Sequence, residues 1–388
     1  MHRIRTYNAI SPIGLARLPR EQFEVGPHVE EPEGILLRSA HLAPEDIPPS
    51  VQAVARAGVG TNNIPVADLT ARGVPVFNTP GANANAVKEL VLAGMLLAAR
   101  NIIPAWDFAH SLAGDDEAVN QAVEAGKKQF AGFELPGRTL GVIGLGAIGV
   151  QVANAALALG MRVIGYDPAI TVRHAWQLSA NVEQATSLED LFRRADVLTL
   201  HVPLNDGTRH LVNAERLALL KPAPVLLNFA RGEIVDEQAV LAALDDGRLR
   251  AYVCDFPSAA LNANPKVVAL PHLGASTGEA EENCAVMAAE ALRDFILDGT
   301  IRNSVNFPEA RLPRIEGTTR LAISNANVPN MVGQVSTMLA DAGLNISDLL
   351  NKSRGDVAYT LIDVDGELPE AVLDKIRGIA GILRARVL

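Results

Sequence analysis

Cysteine is scarce in this sequence: Cys254 and Cys284 are the only two in 388 residues. So few, so far apart, they exclude a disulfide framework and a CxxC metal site, and they suit a reducing cytoplasm. Runs of lysine or arginine are also missing, and the formal net charge is -10. A nucleic acid or an anionic membrane is therefore excluded as the main partner, and a small molecule is expected instead. No apolar run is long enough to span a bilayer; the most apolar helical stretch is ELVLAGMLLAAR, and the opening MHRIRTYNAISPIG lacks a signal-peptide core. The histidines show no ligand spacing, so no metal is expected. There is no low-complexity segment and no fixed-period repeat.

What remains is a chain long enough for two or three domains, with a cleft between domains as the default place for chemistry. Short apolar runs alternate with helical patterns, as in parallel βαβ units. GILLRSA, VQAVARAG and VPVFNTPG read as strands of a first α/β unit. TLGVIGLG, MRVIGYDP, DVLTLHVP, PVLLNFAR, LRAYVCDF and VVALPHLG form a second series, each run ending in a loop. Two helical patterns, NAVKELVLAGMLLAARNI and TGEAEENCAVMAAEALRDFILDG, bracket that series, so the chain is expected to leave the first unit, build the second and return. The expected division is 1–85 with 280–306 for a flavodoxin-like substrate-binding domain, 86–279 for a Rossmann-type doubly wound sheet, and 307–317 for a linker. Residues 318–388 then read strand, helix, strand, strand, helix, strand, a ferredoxin-like βαββαβ unit.

Chemistry enters at Gly144, Gly146 and Gly149, which follow an apolar strand and open a helix. In a dinucleotide site the first glycine allows the tight turn, the second lets backbone N–H groups approach a pyrophosphate, and the third lets helix and strand pack closely. The next strand ends in Asp167, placed to accept hydrogen bonds from ribose hydroxyls and to repel a 2'-phosphate, so NAD is favoured over NADP. Further on, Arg231, Asp255 and His272 each stand just beyond a strand. An arginine fork can grip a carboxylate, and a neutral imidazole can accept an alcohol proton as hydride leaves the neighbouring carbon.

Together, ARAGVGTNNI, GVPVFNTPGANANAVKE, GRTLGVIGLGAIG, LHVPLNDGTRHLVN, NFARGEIVDE and PHLGASTGEAEEN resemble the D-isomer-specific 2-hydroxyacid dehydrogenases over essentially the whole chain. The resemblance implies that Arg231 binds the substrate carboxylate and carbonyl, that His272 is the acid/base, and that Asp255 lies near the nicotinamide carboxamide. It implies cofactor contacts from Gly144, Gly146, Ala147, Ile148, Gly149, Asp167, His201, Val202, Pro203, Thr208, Ala230, Asp255 and Gly274. Substrate contacts are implied for Arg38, Ser39, Gly58, Val59, Gly60, Asn83 and Arg231, and a phosphate on the substrate would need positive charge from Arg38 with Lys127 or Lys128 of a neighbouring subunit. The family usually carries a glutamate a few residues after the aspartate, bonded to the catalytic histidine, whereas this sequence has Ala259 and Ala260 there. Glu279, Glu281 and Glu282 stand as replacements, or as a solvated helix face.

The C-terminal unit resembles an ACT domain, a module that pairs side by side and binds amino acids. SNANVPNMVGQVSTMLADAGLNI matches its first strand, loop and helix, with Asn330 in place of a glycine. That resemblance implies a homodimer or homotetramer and an L-serine effector held by Asn325, Asn327 and Asn345, unless these asparagines satisfy local backbone instead. The expected activity is NAD-dependent oxidation of 3-phospho-D-glycerate. A dehydrogenase for another 2-hydroxy acid, and a non-catalytic NAD-sensing regulator, are the alternatives.

Overall fold

The computed structural model describes residues 1–388. The chain divides into two compact units, Met1–Ala82 with Gly278–Leu388, and Asn83–Thr277. The crossings therefore fall at 82/83 and 277/278, and residues 318–388 cluster with the first unit. No helix is long and apolar enough to cross a membrane.

In the first unit, β1 (His2–Tyr7), β2 (Phe23–Gly26), β3 (Gly34–Leu37), β4 (Ala53–Arg56) and β5 (Val76–Phe77) form a parallel sheet in the order β2-β1-β3-β4-β5. That is the flavodoxin-type order, whose strands reverse direction of winding between β1 and β3. β1 and β2 escape the sequence reading because β1 buries only Ile4 and Thr6 between charged neighbours and β2 is only four residues long. The helix Gly278–Asp298 covers the sheet with Cys284, Ala288, Leu292, Phe295 and Ile296, spaced by three and four residues as one helical face requires.

The C-terminal strands are β13 (Thr318–Ala326), β14 (Ile346–Arg354), β15 (Val357–Asp365) and β16 (Ile382–Val387), antiparallel in the order β14-β15-β13-β16. One face packs on the helices Met331–Asp341 and Glu370–Arg377 through Leu321, Ile323, Ile362 and Val364. The other face, with Ala322, Val357, Tyr359 and Leu361, shares a core with β1, β3–β5 and the Gly278–Asp298 helix. On that second face Arg320 lies opposite Asp363 with both side chains fully buried. All five guanidinium N–H donors are used: two meet Asp363 at 2.6 Å, and the others meet the carbonyls of Asp298, Leu312 and Pro313.

The second unit carries β6 (Thr139–Ile143), β7 (Arg162–Tyr166), β8 (Glu183–Gln184), β9 (Val197–Leu200), β10 (Val225–Asn228), β11 (Ala251–Cys254) and β12 (Val267–Ala269). The order β12-β11-β10-β9-β6-β7-β8, all parallel, is the doubly wound dinucleotide-binding arrangement with one strand added. β6, β9 and β10 are buried along their whole length because helices cover both faces. Winding reverses between β6 and β9, so the loops that follow them face one crevice at the C-terminal edge.

Candidate active site

The loop after β6 has the shape the glycine pattern requires. Gly144 takes φ +91°, and a Cβ there would stand 2.6 Å from the carbonyl oxygen of His201. A Cβ on Gly149 would stand 1.9 Å from the Gly144 oxygen, whereas one on Gly146 would meet nothing. Space is thus left open above Gly146, where the helix Ala147–Ala158 begins with no side-chain cap on its first N–H groups. Ala147 and Ile148 form that first turn, and an anion is the partner such a turn accepts. Asp167, just past β7, accepts the N–H of Leu145 at 2.8 Å and of Ala169 at 2.9 Å, one on each oxygen. Each oxygen keeps a lone pair for a ribose hydroxyl, so these residues fit an NAD-type cofactor. Asp167→Ala is expected to relax discrimination against NADP; an unchanged NAD to NADP ratio of kcat/KM would show that the acid is misassigned.

After β9, the ring nitrogen Nε2 of His201 lies 2.9 Å from Thr199 Oγ1, and Nδ1 is buried without a partner. Burial pushes the His201 pKa down to about 3, which favours the neutral ring. Val202 and Pro203 follow it, and Thr208 closes the loop by donating to the Pro203 carbonyl at 2.6 Å.

The three expected catalytic residues follow neighbouring strands. Ala230 and Arg231 follow β10, Asp255 follows β11, and His272 and Gly274 follow β12. Arg231 is exposed, forms no ion pair, and backs one Nη1 onto the Ala230 carbonyl. Asp255 is 1% exposed; its Oδ2 accepts the Gly274 N–H at 3.3 Å while its Oδ1 is buried without a partner. Burial raises the Asp255 pKa, and the charge of His272 with the N–H groups of Gly274, Asp255 and Leu273 opposes that rise. The Phe256 and His272 rings pack edge to face with 5.1 Å between centroids. Ala259 and Ala260 are exposed at the start of a helix of five residues, Ala259–Ala263.

In the first unit Arg38 and Ser39 follow β3, and the Ser39 N–H is held by Asn8 Oδ1 at 3.0 Å. Arg38 is ion-paired with Glu281 beside a cavity of about 330 Å³ that Ser11, Ala57 and Glu282 help to line. Gly58, Val59 and Gly60 follow β4, close over the Arg56 guanidinium. The sequence reading passed over Arg56, which donates from Nε to the Arg38 carbonyl at 2.9 Å; its position at a C-terminal strand end was the available signal. Asn83 stands before the helix Ala84–Ala99, and Lys127 is ion-paired with Glu124. In the C-terminal unit Asn325, Asn327, Asn330, Asn351 and Met331 line a cavity of about 310 Å³. Asn345 is not among them: it donates to Asp365 at 2.8 Å, at the opposite end of the sheet from Asn325.

Residues 93–274 match the family described as D-isomer specific 2-hydroxyacid dehydrogenase, NAD binding domain. A D-3-phosphoglycerate dehydrogenase of Haemophilus influenzae is 36% identical over 369 residues, covering 91% of this chain and 85% of that protein. The Escherichia coli protein of the same name is 33% identical over 368 residues, covering 91% and 86%. Among solved structures, the NAD+-bound 3-phosphoglycerate dehydrogenase of Entamoeba histolytica is 26% identical with TM-score 0.60, over 79% of this chain and 98% of that one. Shared sequence over most of both chains, a glycine loop shaped for a pyrophosphate, and an arginine, an aspartate and a histidine at adjoining strand ends agree on one assignment: this chain belongs to the D-isomer-specific 2-hydroxyacid dehydrogenases, with NAD as cofactor.

Proposed function

We propose that the protein oxidises 3-phospho-D-glycerate to 3-phosphohydroxypyruvate, the step that commits carbon to L-serine. The observation that carries the reading is the unpaired Arg231 guanidinium beside the Asp255 and His272 strand ends, in a chain whose relatives of that name match most of its length. Arg231 grips the substrate carboxylate with its planar fork. His272, as neutral imidazole, takes the C2 hydroxyl proton on a ring nitrogen, and the buried Asp255 carboxylate stabilises the resulting imidazolium. NAD, when bound, accepts the hydride. Arg38 supplies positive charge for the C3 phosphate, helped by Lys127 from a neighbouring subunit. Each is ion-paired within its own unit, so each exchanges a carboxylate for the phosphate. The test is purified protein with NAD and a panel of 2-hydroxy acids, followed by NADH absorbance. Faster turnover of glycerate or 2-hydroxyglutarate moves the assignment to another member of the class, and no turnover of any favours an NAD-sensing role.

The pH dependence follows from Asp255. Oxidation needs the neutral ring, so Asp255→Asn, which removes the charge favouring imidazolium, moves the acid limb of kcat to lower pH. Reduction needs the protonated ring, and its basic limb also moves lower. The folded-state pKa of Asp255 is raised, so ionising it costs stability above that pKa, and the cost is relieved as pH falls. Asp255→Asn therefore melts at a higher temperature at neutral pH while turning over more slowly. Unmoved limbs would mean that the proton travels through another group.

The C-terminal cavity is proposed to take L-serine. Asn330 holds φ +68°, the left-handed conformation that a glycine favours and asparagine tolerates, so the loop keeps its course. Asn325 and Asn327 come from one copy, and Asn345 is supplied by a second in a homodimer or homotetramer. Calorimetry is expected to show serine binding at millimolar concentration or below, abolished by Asn327→Ala; no heat at that concentration removes the effector. Two buried free cysteines are in keeping with a cytoplasmic location.

A further inference from the structure

Beneath the catalytic strand ends lies a polar trio that the chemistry above does not use. Asn228 ends β10, while Tyr252 and Cys254 are two residues apart on β11 and so share one face of the sheet. The register sets Asn228 directly beside Cys254 and Leu226 beside Tyr252. Asn228 and Cys254 are fully buried and Tyr252 is 2% exposed. The Asn228 amide is satisfied on both sides. Its Oδ1 accepts the Ala230 N–H at 3.1 Å, and its Nδ2 donates to the Arg231 carbonyl at 2.9 Å and the Tyr252 hydroxyl at 3.3 Å. The Cys254 thiol, on the same face of the strand, donates to the Phe256 carbonyl at 3.8 Å. A side-chain path therefore runs from the backbone of Arg231 through Asn228 to Tyr252 on β11, the strand that leads into Asp255 and Phe256, and the Phe256 ring abuts His272.

We infer that Asn228 and Tyr252 form a positioning brace that fixes Arg231 relative to the strand leading to Asp255 and Phe256. The trio sits in an apolar cluster with Leu226, Ile234, Val240 and Leu261, where hydrocarbon side chains would fill the same space without hydrogen bonds to satisfy. What the polar groups add is direction: each bond has one geometry, and two of them end on backbone that carries the site. Tyr252 serves as a hydrogen-bonding group only, because burial raises its pKa well above the ordinary value. The inference rests on the proposed grip of Arg231 on the substrate carboxylate.

Steady-state kinetics of the full chain with 3-phosphoglycerate and NAD test it. Tyr252→Phe removes one oxygen, frees the second N–H of Asn228 and lets the amide turn. A displacement of a fraction of an ångström at Arg231 is expected to lower kcat/KM for the hydroxy acid about tenfold, with Asn228→Ala lower still. KM for NAD stays within about twofold, a split that general loosening of the unit would not produce. Combined with Arg231→Lys, Tyr252→Phe costs much less than it does alone, because both act through one contact. Tyr252→Phe and Asn228→Ala at the wild-type rate beside a full Arg231→Lys defect overturn the brace alone, as does multiplication of the two defects. Arg231→Lys at the wild-type rate overturns the reading beneath it.

Discussion

Arg231→Lys is expected to lower kcat/KM for the hydroxy acid by about 2–4 kcal/mol of transition-state stabilisation, roughly 30- to 900-fold, with KM for NAD unchanged. The charge survives, but the geometry does not. A carboxylate and an adjacent carbonyl present acceptors in one plane, which the guanidinium matches with parallel N–H groups and a lysine ammonium meets as a point charge. Nothing competes for that fork: Arg231 has no carboxylate partner, and its Nη1 contact with the Ala230 carbonyl steadies the group from behind. The backbone beneath is held by Asn228, so the shorter reach of the ammonium cannot be made up by moving the loop. Rates close to wild type would take Arg231 out of the site, and a parallel rise in KM for NAD would recast it as a cofactor residue.

Arg320→Ala is expected to destabilise the first unit by about 3–5 kcal/mol, the usual cost of leaving one member of a buried ion pair alone. The Asp363 carboxylate would remain in an apolar core, and the carbonyls of Asp298, Leu312 and Pro313 would each lose a donor. Asp363→Ala strands the cation instead, with its three carbonyl bonds intact, and is expected to cost less. Exchanging both residues for leucine recovers part of the loss and not all, because the three carbonyls still lack partners. Denaturant titration with a probe in the C-terminal unit measures the difference. A loss of under about 1 kcal/mol for Arg320→Ala would mean that water reaches the pair.

The NAD-binding unit was legible because its strands are short apolar runs that stop where the chemistry starts. The glycine loop, Asp167, Arg231, Asp255 and His272 all stand at strand ends that the parallel order places along one edge. The partner of His272 was not legible. A search for an acid after Asp255 finds Ala259 and Ala260, and the acid proposed to act on the ring is Asp255, which follows β11 beside β12. Arg320 was opaque for a similar reason. In TTRLAISN an arginine at an alternate position reads as solvent-facing, and only the register with Asp363 and the second packed face make it interior. Asn345 joined Asn325 in the sequence through the ACT resemblance, while within one chain the antiparallel register holds them at opposite ends of the sheet.

The insertion of Asn83–Thr277 into the first unit has a cost during synthesis. Ile4, Leu36, Ala55 and Phe77 leave the ribosome early, but Ala288, Leu292 and Phe295, which share their core, belong to a helix made only after the whole second unit. At roughly 5–20 residues per second, the nascent sheet waits on the order of 10–40 s with that face uncovered. The second unit has no such delay, since its strands are contiguous in the chain. It is the part that can fold first, while the earlier-made N-terminal segment keeps its apolar face open until its closing helix emerges.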